Sequence, residues 1–114
     1  MNILWNGQLE SFLDVTPNNN RRILASIMAR AVSQNLGIHE PPIRFFYEGR
    51  FAKFNGFTDG EIIYVSAELD DGMVCRTIIH EARHIFQRSN AAWRSKSEAT
   101  LERDAVLFEL AWPR

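Results

Sequence analysis

Apolar and polar residues recur along this chain with two different periods. Ile23, Leu24, Ile27, Met28, Ala31, Val32 and Leu36 repeat at spacings of three and four, the period of an amphipathic helix. Thr16 suits its cap and Pro17 its first turn, where a missing N–H has no helical partner to lose. Gly37 ends it, and Pro41 and Pro42 bar a restart. The stripe is expected to face the core. Three short segments rich in β-branched and aromatic residues follow, over 43–47, 51–57 and 61–66. Glu48 and Gly49 close the first, and Thr58, Asp59 and Gly60 close the second. They predict a small, mostly antiparallel three-stranded sheet. Two further helices are expected over 71–89 and 97–111, with Asp70 or Asp71 and Ser97 as caps. Residues 2–15 are ambiguous, reading as a short strand over 3–5, a turn at Asn6 and Gly7, then a helical turn. The order of helix, three strands and two helices predicts an α+β fold.

At 114 residues the chain has the length of one domain, with enough apolar residues (46%) for a core of its own. The 13 basic and 14 acidic side chains leave a net charge of -1, which offers no electrostatic reason to expect nucleic acid or an anionic membrane as partner. The one cysteine, Cys75, excludes an internal disulfide framework and a Cys-rich zinc module. No apolar run is long enough to cross a bilayer. The first fourteen residues carry no basic leader, so a cytoplasmic location is expected.

Residues 80–84 read HEARH, an H-E-x-x-H sequence inside the first of the two C-terminal helices. Residues four apart lie one above the other on a helix, so His80 and His84 can grip one metal ion. Glu81 stands beside that face and can reach a water there without being a ligand. On a helical wheel Thr77, His80, Glu81 and His84 share one arc. Val74, Cys75, Ile78, Ile79, Ala82, Ile85 and Phe86 form an apolar arc. Arg76, Arg83 and Gln87 form a third, expected to face solvent. On the apolar arc Cys75 reads as a buried, inert thiol.

The last helix adds a second signal. Glu98, Glu102, Ala105 and Glu109 share a narrow arc flanked by apolar residues, with Arg103 and Asp104 opposite. A carboxylate stripe within an apolar surface is costly to bury unless a metal, a histidine or an arginine compensates it. An exposed glutamate face is the plain alternative. Two histidines and one carboxylate would leave a fourth tetrahedral zinc position for water.

The stretch from GEIIYVSAEL through DDGMVCRTIIHEARHIFQ to LERDAVLFEL resembles a minimal gluzincin, most closely the ImmA/IrrE-type zinc metallopeptidases of bacteria and phages, over about 21–110. The resemblance implies a helix, a small sheet, the HExxH helix and a ligand helix with an E-x-x-A pattern. It implies Zn2+ held by His80, His84 and Glu102, with Glu81 as general base for hydrolysis of a peptide or protein substrate. Two positions depart from the family. Ala82 and Arg83 replace its usual Leu-Gly, and Val106 stands where relatives often carry Asp or Asn, leaving Glu98 or Glu109 to support a ligand histidine. A non-catalytic zinc-binding module with a structural or partner-binding role is the alternative.

The resemblance also implies an extended substrate held by a sheet edge, with 51–57 and 61–66 as candidate edges and Tyr64 as candidate oxyanion contact. His39 reads as a loop residue. The basic and aromatic run over 50–57 reads as core strand rather than a nucleic-acid surface. Trp93 and Trp112 are expected to cover the C-terminal helices.

Overall fold

A computed structural model describes residues 19–47 and 54–113. The readings of 2–15, of the Thr16 and Pro17 helix start, and of 51–53 as strand lie outside the described residues. The described elements run α1 (Asn19–Leu36), β1 (Ile43–Phe46), β2 (Gly56–Thr58), β3 (Ile63–Ser66), α2 (Asp71–Ser89), α3 (Ala91–Arg94) and α4 (Glu98–Ala111). The fold is α+β, with a small mixed sheet against helices.

Local chemistry sets the element ends. Gly37 adopts φ 69°, and the N–H groups of Gly37 and Ile38 return to the carbonyls of Gln34 and Ser33, a left-handed stop that satisfies the last turn of α1. The Asp70 carboxylate accepts from the Met73 N–H at 2.8 Å and starts α2; the Ser97 hydroxyl accepts from the Thr100 N–H at 3.2 Å and starts α4. The short α3 was not expected. Asn90 closes α2 and caps α3 by accepting from the Ala92 N–H at 3.0 Å. Four residues carry too little periodicity to announce a helix.

The sheet order is β1-β3-β2, with β1 and β3 parallel and β2 and β3 antiparallel. The expectation of a mostly antiparallel sheet is therefore corrected to a mixed one. Only the Asp59–Gly60 turn forms a hairpin; the chain leaves β1, crosses to the far edge as β2, and returns as β3 between them. Every residue of β3 is buried, and the central place pairs its backbone on both sides. Hydrophobic periodicity reports burial but carries no strand direction.

Ile63 and Val65 project from β3 into a core shared with Val74, Ile78 and Ala82 of α2 and with Ala25, Ala29 and Val32 of α1. The small Ala25 and Ala29 are buried in this core, where α1 packs on α2. The apolar stripe of α1 is consequently rotated from the expected one: Ile23 and Ile27, expected inside, are 57% and 61% exposed. On the other sheet face Tyr64 stacks on Phe57, ring centroids 4.7 Å apart, and Phe46 and Phe54 pack edge-on around them.

Gly56 brings β2 against α2. A Cβ there would meet the Tyr64 carbonyl and stand 2.6 Å from Thr77 Cγ2, so only glycine lets the strand lie so close to the helix, one turn before His80.

Candidate metal centre

α2 and α4 pack side by side and bring His80, His84 and Glu102 together. One ligand atom from each lies within 4.8 Å of the others. Glu102 Oε1 stands 3.2 Å from His80 Nε2 and 3.0 Å from His84 Nε2. The rings cross at 76° with centroids 4.9 Å apart, one turn apart on the helix. Glu98 lies away from this group and lines the neighbouring groove.

The other ring nitrogens have partners of their own. His80 Nδ1 lies 3.1 Å from Glu109 Oε1, and Arg76 Nε donates to the second oxygen of Glu109 at 2.9 Å. An ionised carboxylate only accepts, and both ring nitrogens of His80 face one, so Nδ1 donates to Glu109 whenever it carries the proton. His84 Nδ1 lies 2.8 Å from Gln87 Oε1. The Gln87 amide nitrogen donates to the Leu101 carbonyl at 2.9 Å and to Asp104 Oδ2 at 2.8 Å, which turns its oxygen toward the ring and makes His84 Nδ1 a donor as well. When Nδ1 is the protonated nitrogen of each ring, both Nε2 lone pairs face Glu102, and a cation among the three atoms would relieve their mutual repulsion. Two imidazole nitrogens and a carboxylate oxygen are a zinc donor set, and about 3.3 Å separates ligand atoms around a tetrahedral zinc. The residues present fit such an ion.

Of the two glutamates left open for supporting a ligand histidine, Glu109 touches His80. Gln87, Asp104 and Arg83 are the residues around the cluster that sequence reasoning missed. Gln87, assigned to solvent, is 1% exposed. Arg83, also expected outside, forms a two-pronged pair with Asp104, Nε to Oδ2 at 2.6 Å and Nη2 to Oδ1 at 3.2 Å. Its guanidinium lies over Phe86, Trp93 and Phe108, 4.6–5.5 Å from the ring centroids. Arg76, the third member of that arc, is held by Glu109. The arc failed as a solvent face because α4 lies across it. Asp104, placed on the far side of the last helix, faces α2. The legible signal was Arg83 and Asp104 themselves: opposite charges on neighbouring helices, each able to neutralise the other.

Hydrogen bonds from Arg83 and Gln87 outweigh the effect of burial and hold the Asp104 carboxyl below its ordinary value of 3.8. A lowered carboxyl stabilises the fold above its unfolded pKa and loses that contribution as pH falls through the folded one. Asp104→Asn is expected to cost about 1–3 kcal/mol at pH 7. The gap to the parent should be flat above pH 5 and narrow below pH 4, read from urea denaturation at each pH. A gap independent of pH down to 2 would refute the assignment.

Glu81 lies between the two cavities that border the histidines. The larger, about 630 Å³, also meets β2, His84 and Glu102; the smaller, about 240 Å³, also meets Thr77, His80, Glu102 and Glu109. Burial, helped by the Glu102 charge, pushes the Glu81 carboxyl above its usual value, against the lowering effect of His80, His84 and Arg88. It accepts no hydrogen bond from another described residue. A carboxylate so placed can take a proton from a molecule in the cleft.

Two other candidates lie elsewhere. Tyr64 stands on the sheet face away from α2 and lines neither of these cavities, which corrects its expected oxyanion role. Alternation puts Ile63 and Val65 toward the helices, so Tyr64 lies on the opposite face, buried under Phe57. Strand β3 is interior, so 61–66 offers no docking edge; β2, with one edge unpaired among the described residues, does. His39 lines a separate cavity with Gly60 and Ile85. Cys75, expected to be buried, is half-buried; burial, then the nearby Asp71, pushes its thiol up.

No helix among the described residues is long and apolar enough to cross a membrane. Comparison with family profiles, with curated proteins and with solved structures finds no match to this chain.

Proposed function

We propose that the protein is a zinc-dependent peptidase in which His80, His84 and Glu102 hold the ion and Glu81 is the general base. The observation that carries this reading is the convergence of two imidazole nitrogens and a carboxylate oxygen beside a half-buried carboxylate that opens onto a groove. Zinc, when bound, supplies Lewis acidity toward a carbonyl and toward water. Glu81 takes the proton of the attacking water and returns it to the leaving amine nitrogen, splitting the peptide bond into acid and amine. Glu109 and Gln87 keep the Nε2 lone pairs of both histidines turned inward. The exposed edge of β2 supplies backbone groups to an extended substrate along the groove.

The purified protein should hold about one zinc per chain by elemental analysis, and a mixed peptide substrate should be cleaved, with loss on chelation and recovery with zinc. Absence of metal under zinc-replete conditions would refute the reading. One zinc with no cleavage of any peptide or protein substrate would replace it by the non-catalytic zinc module.

Gln87 acts through His84. Gln87→Leu is expected to weaken zinc binding about 10–100-fold, because the ring loses its anchor and its fixed tautomer. Competition with a chelating dye measures this. Unchanged affinity would remove Gln87 from the site.

A further inference from the structure

The large groove is charged unevenly. Arg88, from the last turn of α2, and Arg94, at the end of α3, both line it together with Glu81, His84 and Glu102. The smaller cavity on the other side of Glu81 contains a single arginine, Arg76, already held by Glu109. Among the described residues neither Arg88 nor Arg94 forms an ion pair. One further carboxylate, Glu98, lines the groove and stands in no ion pair with either.

Both arginines are positioned by the fold. The Arg88 side chain lies over Gly60, where a Cβ would come within 2.9 Å of Nη1; Gly60 has φ 103° and leaves that space open. Asp59, next to it, accepts from the N–H groups of Glu61 and Ile62, both at 2.8 Å, and is within electrostatic reach of Arg88 without forming an ion pair with it. Arg94 is carried by α3. The Asn90 carbonyl accepts from the Trp93 and Arg94 N–H groups at 3.0 and 3.1 Å, and the Trp93 ring packs on Arg83. These contacts fix the turn that delivers Arg94 to the groove wall.

We infer that Arg88 and Arg94 select substrates bearing a carboxylate, which they bind in the large groove beside His84 and Glu102. A guanidinium presents a planar fork matched to a carboxylate, and the groove holds two that no described residue takes into an ion pair: Arg88 feels Asp59 and Glu81 only at longer range, and its fork stays open. The carboxylate is supplied either by an acidic side chain or by a free C-terminus. This inference rests on the reading of the groove as a peptide site.

The test uses the Glu81→Gln protein in zinc-containing buffer, so that binding is read without turnover. One set of short peptides, amidated at the C-terminus, carries a single Glu at each position in turn, against Gln controls. A neutral peptide with a free C-terminus is compared with its amide. At least one carboxylate form should bind about tenfold tighter than its neutral partner. The preference should shrink with added salt and disappear in the Arg88→Gln/Arg94→Gln double variant. Preference in the Glu series assigns an acidic side chain; preference for the free terminus assigns a C-terminal carboxylate. Equal affinities, no binding of any peptide, or a preference that survives the double variant with native thermal stability would overturn the inference. Cleavage by the parent protein is measured beside it. Cleavage without preference removes the inference and keeps the peptidase; preference without cleavage does the reverse.

Discussion

Glu81→Gln is expected to lower peptide hydrolysis by a factor on the order of 10³ while leaving about one zinc per chain. Gln has the shape of Glu and fills the same half-buried position, but has no basic oxygen to accept a proton from water. Glu81 is not among the three atoms that converge on one point, so the metal has no reason to leave. The fold should tolerate the change, because no hydrogen bond from a described residue to this carboxylate is lost. Its buried position disfavours charge, so a neutral amide relieves a cost. Full activity in the variant would remove Glu81 from the chemistry. Loss of both zinc and activity would make it a structural or ligating group instead.

The second large effect concerns the ligands. His80→Ala and His84→Ala should each weaken zinc binding by more than about 100-fold, beyond the cost of losing an outer partner. Glu102→Ala should fall in the same class, because its Oε1 faces both Nε2 atoms. Glu109→Ala should cost less, about 10–100-fold, since it removes only the His80 anchor and frees Arg76. Glu98→Ala should leave affinity within a few-fold, because its carboxylate lies in the groove away from the cluster. Equilibrium dialysis of the five variants tests the order. Glu98 ranking above Glu102 would move the third ligand one turn toward the start of α4.

The candidate site was legible in the sequence where helical geometry alone placed it. An i, i+4 pair of histidines has to share a face, whatever surrounds it. Glu102 and Glu109 share an arc of their helix for the same reason. What lay hidden was the third arc of α2. Arg76, Arg83 and Gln87 are the residues a wheel assigns to water, and here each meets α4. A polar residue can be buried as soon as its partner is polar, and the partner stands on another element. Gln87 shows this best: its two donor bonds and one accepted bond all reach groups the wheel cannot relate to it, or in the case of His84 cannot orient.

Sequence by itself determined the α+β class, the extents of α2 and α4 almost to the residue, the capping by Asp70 and Ser97, the stop at Gly37, and the shared faces of the site residues. All of these follow from interactions between residues close in the chain. Tertiary structure alone decided the parallel pairing of β1 with β3, the central place of β3, the exposure of Ile23 and Ile27, and the outer partners of His80 and His84. Each of these depends on which surface meets which, and apolar periodicity is blind to the partner and to the direction in which it runs. The Asp104–Gln87–His84 chain belongs to that second group: it exists only because α4 lies across the face of α2 that composition marks as wet.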